Sequence, residues 1–296
     1  MFVLFTPYSF LFLSLYLMMS FSLFSINNFY YYWLVMELIM LLFMGLSYTL
    51  FVSSYSQLMV YFLIQALSSF LILLSYVYSF SLLLTVAVLM KLSMFPFYSW
   101  FINVVYSFPN FMVWLSSTLH KLPLMVMLST FNLELNSTLV WVSITLTVLV
   151  SGILMLMLID FRMMLIVSSV GNNSWFLLSQ MNSFFIFLLF FLVYSLSLFG
   201  LFLSFKGVSK PSSSLSMAPS SYLLSFWVLS VSGMPPFPVF YVKMLVIYMY
   251  LINYSFNHYF FVFILFSSFM LMGYLQSIMK NYIYMYSSVS HILMKW

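Results

Sequence analysis

The sequence predicts an all-α polytopic membrane protein of about ten transmembrane helices, two of them discontinuous, with the breaks near Pro96 and near Pro235/Pro236. Three observations carry this prediction. Hydrophobic residues fill 66% of the 296 positions and charged residues only 4%, with a mean hydropathy of +1.17, whereas soluble domains are about 25% charged. Apolar runs recur at roughly the 20-residue length that a helix needs to cross the hydrocarbon core. Two of these runs are broken by proline close to a lysine, in KLSMFPFYSW and in SGMPPFPVFYVK. A soluble fold would have to keep 37 Phe and 26 Met in solution behind eight Lys/Arg and three Asp/Glu, too few charges to avoid large exposed apolar patches.

Taken in order, the apolar runs cover 3–24, 30–50, 57–78, 81–101, 111–131, 138–159, 163–180, 183–204, 221–254 and 258–279. The first lacks the basic start and small-residue cleavage site of a targeting peptide, so it reads as a span. In the second, Tyr30, Tyr31, Tyr32 and Trp33 form an expected interfacial belt ahead of Glu37. Pro96 interrupts the fourth, because proline removes a backbone hydrogen bond that hydrocarbon cannot replace. The fifth carries His120-Lys121-Leu122-Pro123, a charge beside a helix perturbation. In the seventh, SSVGNN at 168–173 is an expected interhelical hydrogen-bonding patch, with Gly171 and Ser168 allowing close packing. Ser, Pro and Gly make 205–221 a loop. The ninth run has 34 residues, too long for one straight span, and GMPPFP divides it into two half-helices. From Asn281 to Trp296 only 16 residues remain, short of a span, and they are expected to lie as an interfacial helix or along a neighbour.

Charge supports ten crossings. Arg162, Lys206, Lys210, Lys280 and Lys295 all follow even-numbered runs, while the loops after odd-numbered runs hold Glu134 and no basic residue. By the positive-inside rule both termini then face the matrix or cytoplasm. The basic residues are scattered singly, so the net charge of +5 forms no nucleic-acid footprint. With no cysteine, and with His120, His258 and His291 far apart, no local metal or iron–sulfur motif exists. Heavy use of Phe, Tyr and Met is what an AT-rich organellar genome with an extra methionine codon produces.

The remaining basic residues, Lys91, Lys121 and Lys243, fall inside spans, where a lysine at mid-membrane costs roughly 2.5–3.5 kcal/mol. Lys91 and Lys121 each lie about ten residues into a run, too deep to snorkel easily. Lys243 follows Pro236 by seven residues. Glu37 is the acid well inside a span, placed to neutralise a buried lysine or to take part in proton uptake. His120 reads as a possible relay or as a hydrogen-bonded core histidine. Asp160 and Arg162 read as a solvated ion pair of little worth.

WLVMELIM, YFLIQALSSFLILLS, KLSMFPFYSW, LHKLP, RMMLIVSSV and SVSGMPPFPVFYVK, in that order, resemble the antiporter-like proton-pumping subunits of mitochondrial NADH:ubiquinone oxidoreductase, respiratory complex I. The likeness runs from about residue 30 to 245, and the expected member of the family is one without the extra N-terminal spans of most such subunits. It implies one transmembrane domain over 1–296 with two inverted repeats, 30–159 and 163–279, and a hydrated axis of ionisable residues along the midplane. Glu37, Lys91, Lys121 and Lys243 match the family's ionisable positions, with His120 as a possible relay; Asn172 stands where relatives usually carry histidine, so water would have to serve there.

The function so implied is proton translocation in the mitochondrial inner membrane, coupled to electron transfer from NADH to ubiquinone on other chains. NADH, flavin, iron–sulfur clusters and ubiquinone belong elsewhere in the complex, and none is expected on this chain. Expected partners are the other membrane subunits of complex I, further antiporter-like subunits among them, and membrane lipids. A stand-alone cation/proton antiporter of the related family is the alternative; it needs a cation site rich in acids, and Glu37 is the sole intramembrane acid. A purely structural scaffold leaves three buried lysines without a reason.

Overall fold

The computed structural model describes residues 7–50, 55–158, 160–204, 221–253 and 258–293. These residues are helical and contain no strand. Their helices are α1 (Pro7–Ser22), α2 (Phe29–Leu50), α3 (Tyr55–Tyr78), α4 (Ser81–Leu92), α5 (Tyr98–Ser107), α6 (Asn110–Ser117), α7 (Leu122–Thr130), α8 (Ser137–Met157), α9 (Phe161–Asn182), α10 (Phe184–Ser204), α11 (Ser221–Ser232), α12 (Pro238–Asn253) and α13 (His258–Leu293). The chain is a multi-pass membrane protein. Among the described residues, seven stretches are long and apolar enough to cross a bilayer unaided: Pro7–Ser25, α2, α3, Asn110–Thr130, α8, α10 and Tyr259–Met279.

Helices dominate because a lipid-embedded chain must pair its backbone groups within each segment. Serine hydroxyls obey the same demand by turning back on the carbonyl three residues earlier, as Ser75 does on Ile72 O at 2.7 Å and Ser143 on Val140 O at 2.8 Å. The apolar runs predicted at 81–101 and 221–254 are both broken where expected, into α4/α5 and α11/α12. The two breaks repeat one backbone pattern. At the first, Ser93 takes a left-handed φ of 55°, its N–H donates to Met90 O at 3.1 Å and Met94 N–H donates to Leu89 O at 2.9 Å. At the second, Gly233 has φ 77°, its N–H donates to Ser230 O at 3.3 Å and Met234 N–H donates to Leu229 O at 3.4 Å. These are paired Schellman caps, each followed by a cis X-Pro bond, Phe95–Pro96 or Pro235–Pro236.

Several sequence expectations need correction. The run at 111–131 is not one helix: Thr118 leaves helical geometry at φ −122°, ψ −88°, and a 3-10 turn over Leu119–Lys121 separates α6 from α7, with Pro123 tolerated at the start of α7. α9, at 22 residues, is long enough to cross a bilayer but is not apolar enough to do so unaided. It is buried along nearly its whole length, from Phe161 to Ser179, so its outer surface meets protein and can be polar. The tail does not separate as an interfacial helix, since α13 continues unbroken to Leu293, 36 residues in all. The aromatic belt is only partly a belt. Tyr30 and Tyr31 are exposed, whereas Tyr32 is buried and donates to Pro123 O at 2.6 Å, and Trp33 donates to Ser69 O at 3.0 Å. The loop at 205–220, with Lys206 and Lys210, and Lys295 lie outside the described residues.

α13 lies against α8 along an extended seam. Small residues set that distance: a Cβ on Gly273 would stand 2.9 Å from Met155 O, and one on Gly152 3.0 Å from Phe266 O. α9 sits at the centre, touching α5, α6, α7, α8, α10, α12 and α13.

Candidate functional site

His120 and Lys121 lie between α6 and α7 and Lys243 lies on α12, elements packed against α9, while Lys91 and Glu37 lie on α4 and α2. Lys91 occupies the last turn of α4, one residue before the final Leu92, where the negative end of the half-helix favours a cation. Glu37, on α2, acts electrostatically on Lys91. Its Oε1 is buried with no hydrogen-bond partner among the described residues.

His120 and Lys121 sit in the 3-10 turn between α6 and α7 and are buried. The imidazole leans on Phe43 and Tyr61, with ring centroids at 4.7 and 5.7 Å. The charges of Lys91 and Lys121 both reach it, and its Nδ1 has no partner among the described residues. Because the 3-10 turn replaces a regular helical turn, His120 and Lys121 come off the helix axis at the level of the α4 break. Lys121 Nζ donates to Asn173 Oδ1 at 2.5 Å and lies 5.2 Å from the centroid of Phe101. Asn173 Nδ2 in turn donates to Leu92 O, the end of α4, at 2.5 Å.

Lys243 stands apart from this cluster, on α12. Its side chain returns toward the second break, where a Cβ on Gly233 would be 3.3 Å from Nζ, and its ammonium lies 5.4 Å from the centroid of Trp175. That cation–π contact and the Asn173 amide are the contacts through which α9 meets the two lysines. Asn173 and Trp175 are two residues apart, about 200° around the helix axis at 3.6 residues per turn. One face of α9 thus meets Lys121 and the opposite face meets Lys243.

Lys91 lies in electrostatic range of Glu37 and of His120, and His120 in range of Lys121, whereas Lys243 shares α9 with Lys121, through Trp175 and Asn173. The repeated breaks do not repeat the lysine: Lys91 precedes Ser93 by two residues and Lys243 follows Gly233 by ten. Asn172 faces Tyr194 rather than a lysine, and its Oδ1 is buried without a partner among the described residues. Sequence reasoning weighed Asn172 and passed over Asn173 and Trp175, although SSVGNN marked the place. The solvated Asp160–Arg162 pair does not form. Asp160 is exposed, while Arg162 turns inward over the Tyr106 ring at 5.7 Å, with Nε and Nη2 buried.

Buried amines in reach of an acid, an imidazole and fixed acceptors can hold and exchange protons. No family model matches the chain. It is similar to NADH-ubiquinone oxidoreductase chain 2 of Artemia franciscana, 30% identical over 188 residues, which are 62% of each chain. It is also similar to chain 2 of Coturnix japonica, 31% identical over 56% of this chain and 50% of that one, and to chain 2 of Strongylocentrotus purpuratus, 30% identical over 66% and 55%. The chain thus spans between half and three-fifths of the length of these relatives. Its fold is shared with a chain in a solved structure of respiratory complex I from Thermus thermophilus with bound aureothin, at a TM-score of 0.72 and 18% identity, over 84% of this chain and 64% of that one.

Proposed function

We propose that the chain, which resembles NADH-ubiquinone oxidoreductase chain 2, is a proton-translocating subunit of respiratory complex I in the mitochondrial inner membrane. The observation that carries this reading is a series of ionisable residues beside one polar, enclosed helix: Lys91, His120 and Lys121 buried at helix breaks, Lys243 half-buried near the second proline break, and Glu37 half-buried on α2 in electrostatic range of Lys91. Lys91 holds a proton whose affinity depends on the Glu37 carboxylate. Lys121 receives it, with His120 between the two amines as a possible relay, and Lys243 is the terminal site. Residues 30–159 and 163–279 are the two repeats that carry the two broken helices.

Moving one charge against 100 mV takes about 2.3 kcal/mol. A tenfold change in proton affinity corresponds to about 1.4 kcal/mol, so modest changes in the field at a lysine are of the right size. No redox step occurs on this chain. NADH, flavin, iron–sulfur clusters and ubiquinone are assigned to other chains, and the partners are further membrane subunits of the complex.

The test is isolation from the native membrane followed by transport. A chain that copurifies at fixed stoichiometry with a large NADH-oxidising assembly is the subunit proposed. Cation-driven proton exchange by the isolated chain in liposomes, without that assembly, would instead make it a stand-alone antiporter.

A further inference from the structure

Asn173 joins the ammonium of Lys121 to the carbonyl end of α4, one residue past Lys91. Its Oδ1 accepts from Lys121 Nζ at 2.5 Å and its Nδ2 donates to Leu92 O at 2.5 Å. Both side chains are enclosed, Asn173 at 0% exposure and Lys121 at 5%. A backbone carbonyl only accepts hydrogen bonds, and so does an amide oxygen. Turning the amide over would set Oδ1 against Leu92 O and Nδ2 against the ammonium, each pairing unfavourable in an enclosed site. The end of α4 therefore fixes which way the amide points, and the amide fixes where Lys121 must present a hydrogen. An ammonium, with three donors and a full charge, meets that demand best.

We infer that Asn173 is a positioning residue that ties the proton held on Lys121 to the geometry of the break beside Lys91. The inference rests on the proton-translocating reading above. When the Lys91-bearing half-helix shifts, Leu92 O carries the amide with it, and the acceptor facing Lys121 moves. α9 is suited to this, being packed on all sides, so that the side chain responds to α4 while the helix stays in place. Lys91 and Lys121 are thereby coupled through a hydrogen-bonded chain as well as through their charges.

The test measures protons translocated per NADH oxidised by the intact complex in proteoliposomes. Lys121→Met is the reference; an unchanged ratio there overturns the functional reading itself. Asn173→Leu, nearly isosteric and without either hydrogen bond, should lower the ratio severalfold while assembly and NADH oxidation with an artificial acceptor persist. Combined with Lys121→Met it should add little, because both changes act on one group. Asn173→Gln carries the same donor and acceptor on a longer stem and should regain part of the ratio. A residue that merely fills space predicts the reverse, since glutamine overfills the site. If the leucine variant does not assemble, Asn173→Ser, which leaves room and removes both contacts, takes its place in the cycle. A normal ratio in Asn173→Leu or Asn173→Ser beside a lowered one in Lys121→Met overturns the inference, as does full additivity or a glutamine variant worse than the leucine one.

Discussion

At the scale of single residues, the site is made of groups held near one another without being locked together. Glu37 acts on Lys91 yet keeps Oε1 unpartnered among the described residues, and His120 likewise keeps Nδ1 open. A fully closed buried ion pair would be costly to break, by several kcal/mol once one partner is removed. The looser arrangement suits the proton exchange proposed above, and it predicts coupling between the two side chains. Lys91→Met keeps length and apolarity and removes the proposed proton site, so assembly should survive while proton pumping coupled to NADH oxidation falls. Glu37→Gln should act on the same step. In the double variant the losses should be clearly less than additive; additive losses in a double-mutant cycle would show that the carboxylate does not work through Lys91.

At the scale of elements, the two breaks share a cap and differ in the residue that pays its conformational cost. A left-handed non-glycine residue costs roughly 1–2 kcal/mol, and Ser93 bears this at φ 55° while Gly233 meets φ 77° freely. Ser93→Gly relieves that cost but adds freedom to the unfolded chain, worth about 0.4–1 kcal/mol the other way, and removes the buried hydrogen bond from Ser93 Oγ to Leu92 O, worth about 1 kcal/mol, so its net effect should be close to zero. Gly233→Ala gains the cost and also places a Cβ against the Lys243 amine. It should lower stability by roughly 1–2 kcal/mol and disturb the Trp175 contact. Thermal inactivation of the assembled, solubilised protein measures both; equal effects would mean that the second break does not depend on its glycine.

These elements also show what could be read beforehand. The breaks at Pro96 and Pro235/Pro236 were legible because proline and glycine change the backbone wherever they stand. The break at Thr118–Lys121 was only half legible: HKLP flagged it, but the surrounding run is apolar throughout and Pro123 sits where a new helix tolerates it. Asn173 was not legible as the partner of Lys121. A polar run such as SSVGNN announces contacts between helices, and nothing in the run itself states which neighbour each face will meet. Arg162 was misread for a related reason, since a nearby acid in the sequence says little about a side chain that can lay its guanidinium over Tyr106.

At the scale of the molecule, the open question is which side each segment faces, and the absence of cysteine makes it directly measurable, because any introduced cysteine is the only one in the chain. α8 has 21 residues and rises about 32 Å, enough for one crossing of a core about 30 Å thick. Glu134 and Asp160, both exposed, flank that helix and should therefore face opposite compartments. From Asp160 onward, α9, α10, the broken α11/α12 and α13 make four further passages, which returns the end of α13 to the side of Asp160. α13 rises about 54 Å over its 36 residues, well beyond the hydrocarbon thickness. Its final turns, which contain Ser287, Ser288, Ser290 and His291, should emerge into water or head groups on that side. A membrane-impermeant maleimide should then label Asp160→Cys and Ser290→Cys from the compartment of the basic loops, the matrix in a mitochondrion, and Glu134→Cys from the other. Labelling of Ser290→Cys from the side of Glu134→Cys would remove one passage from the count, and with it the assignment of 163–279 as a complete second repeat.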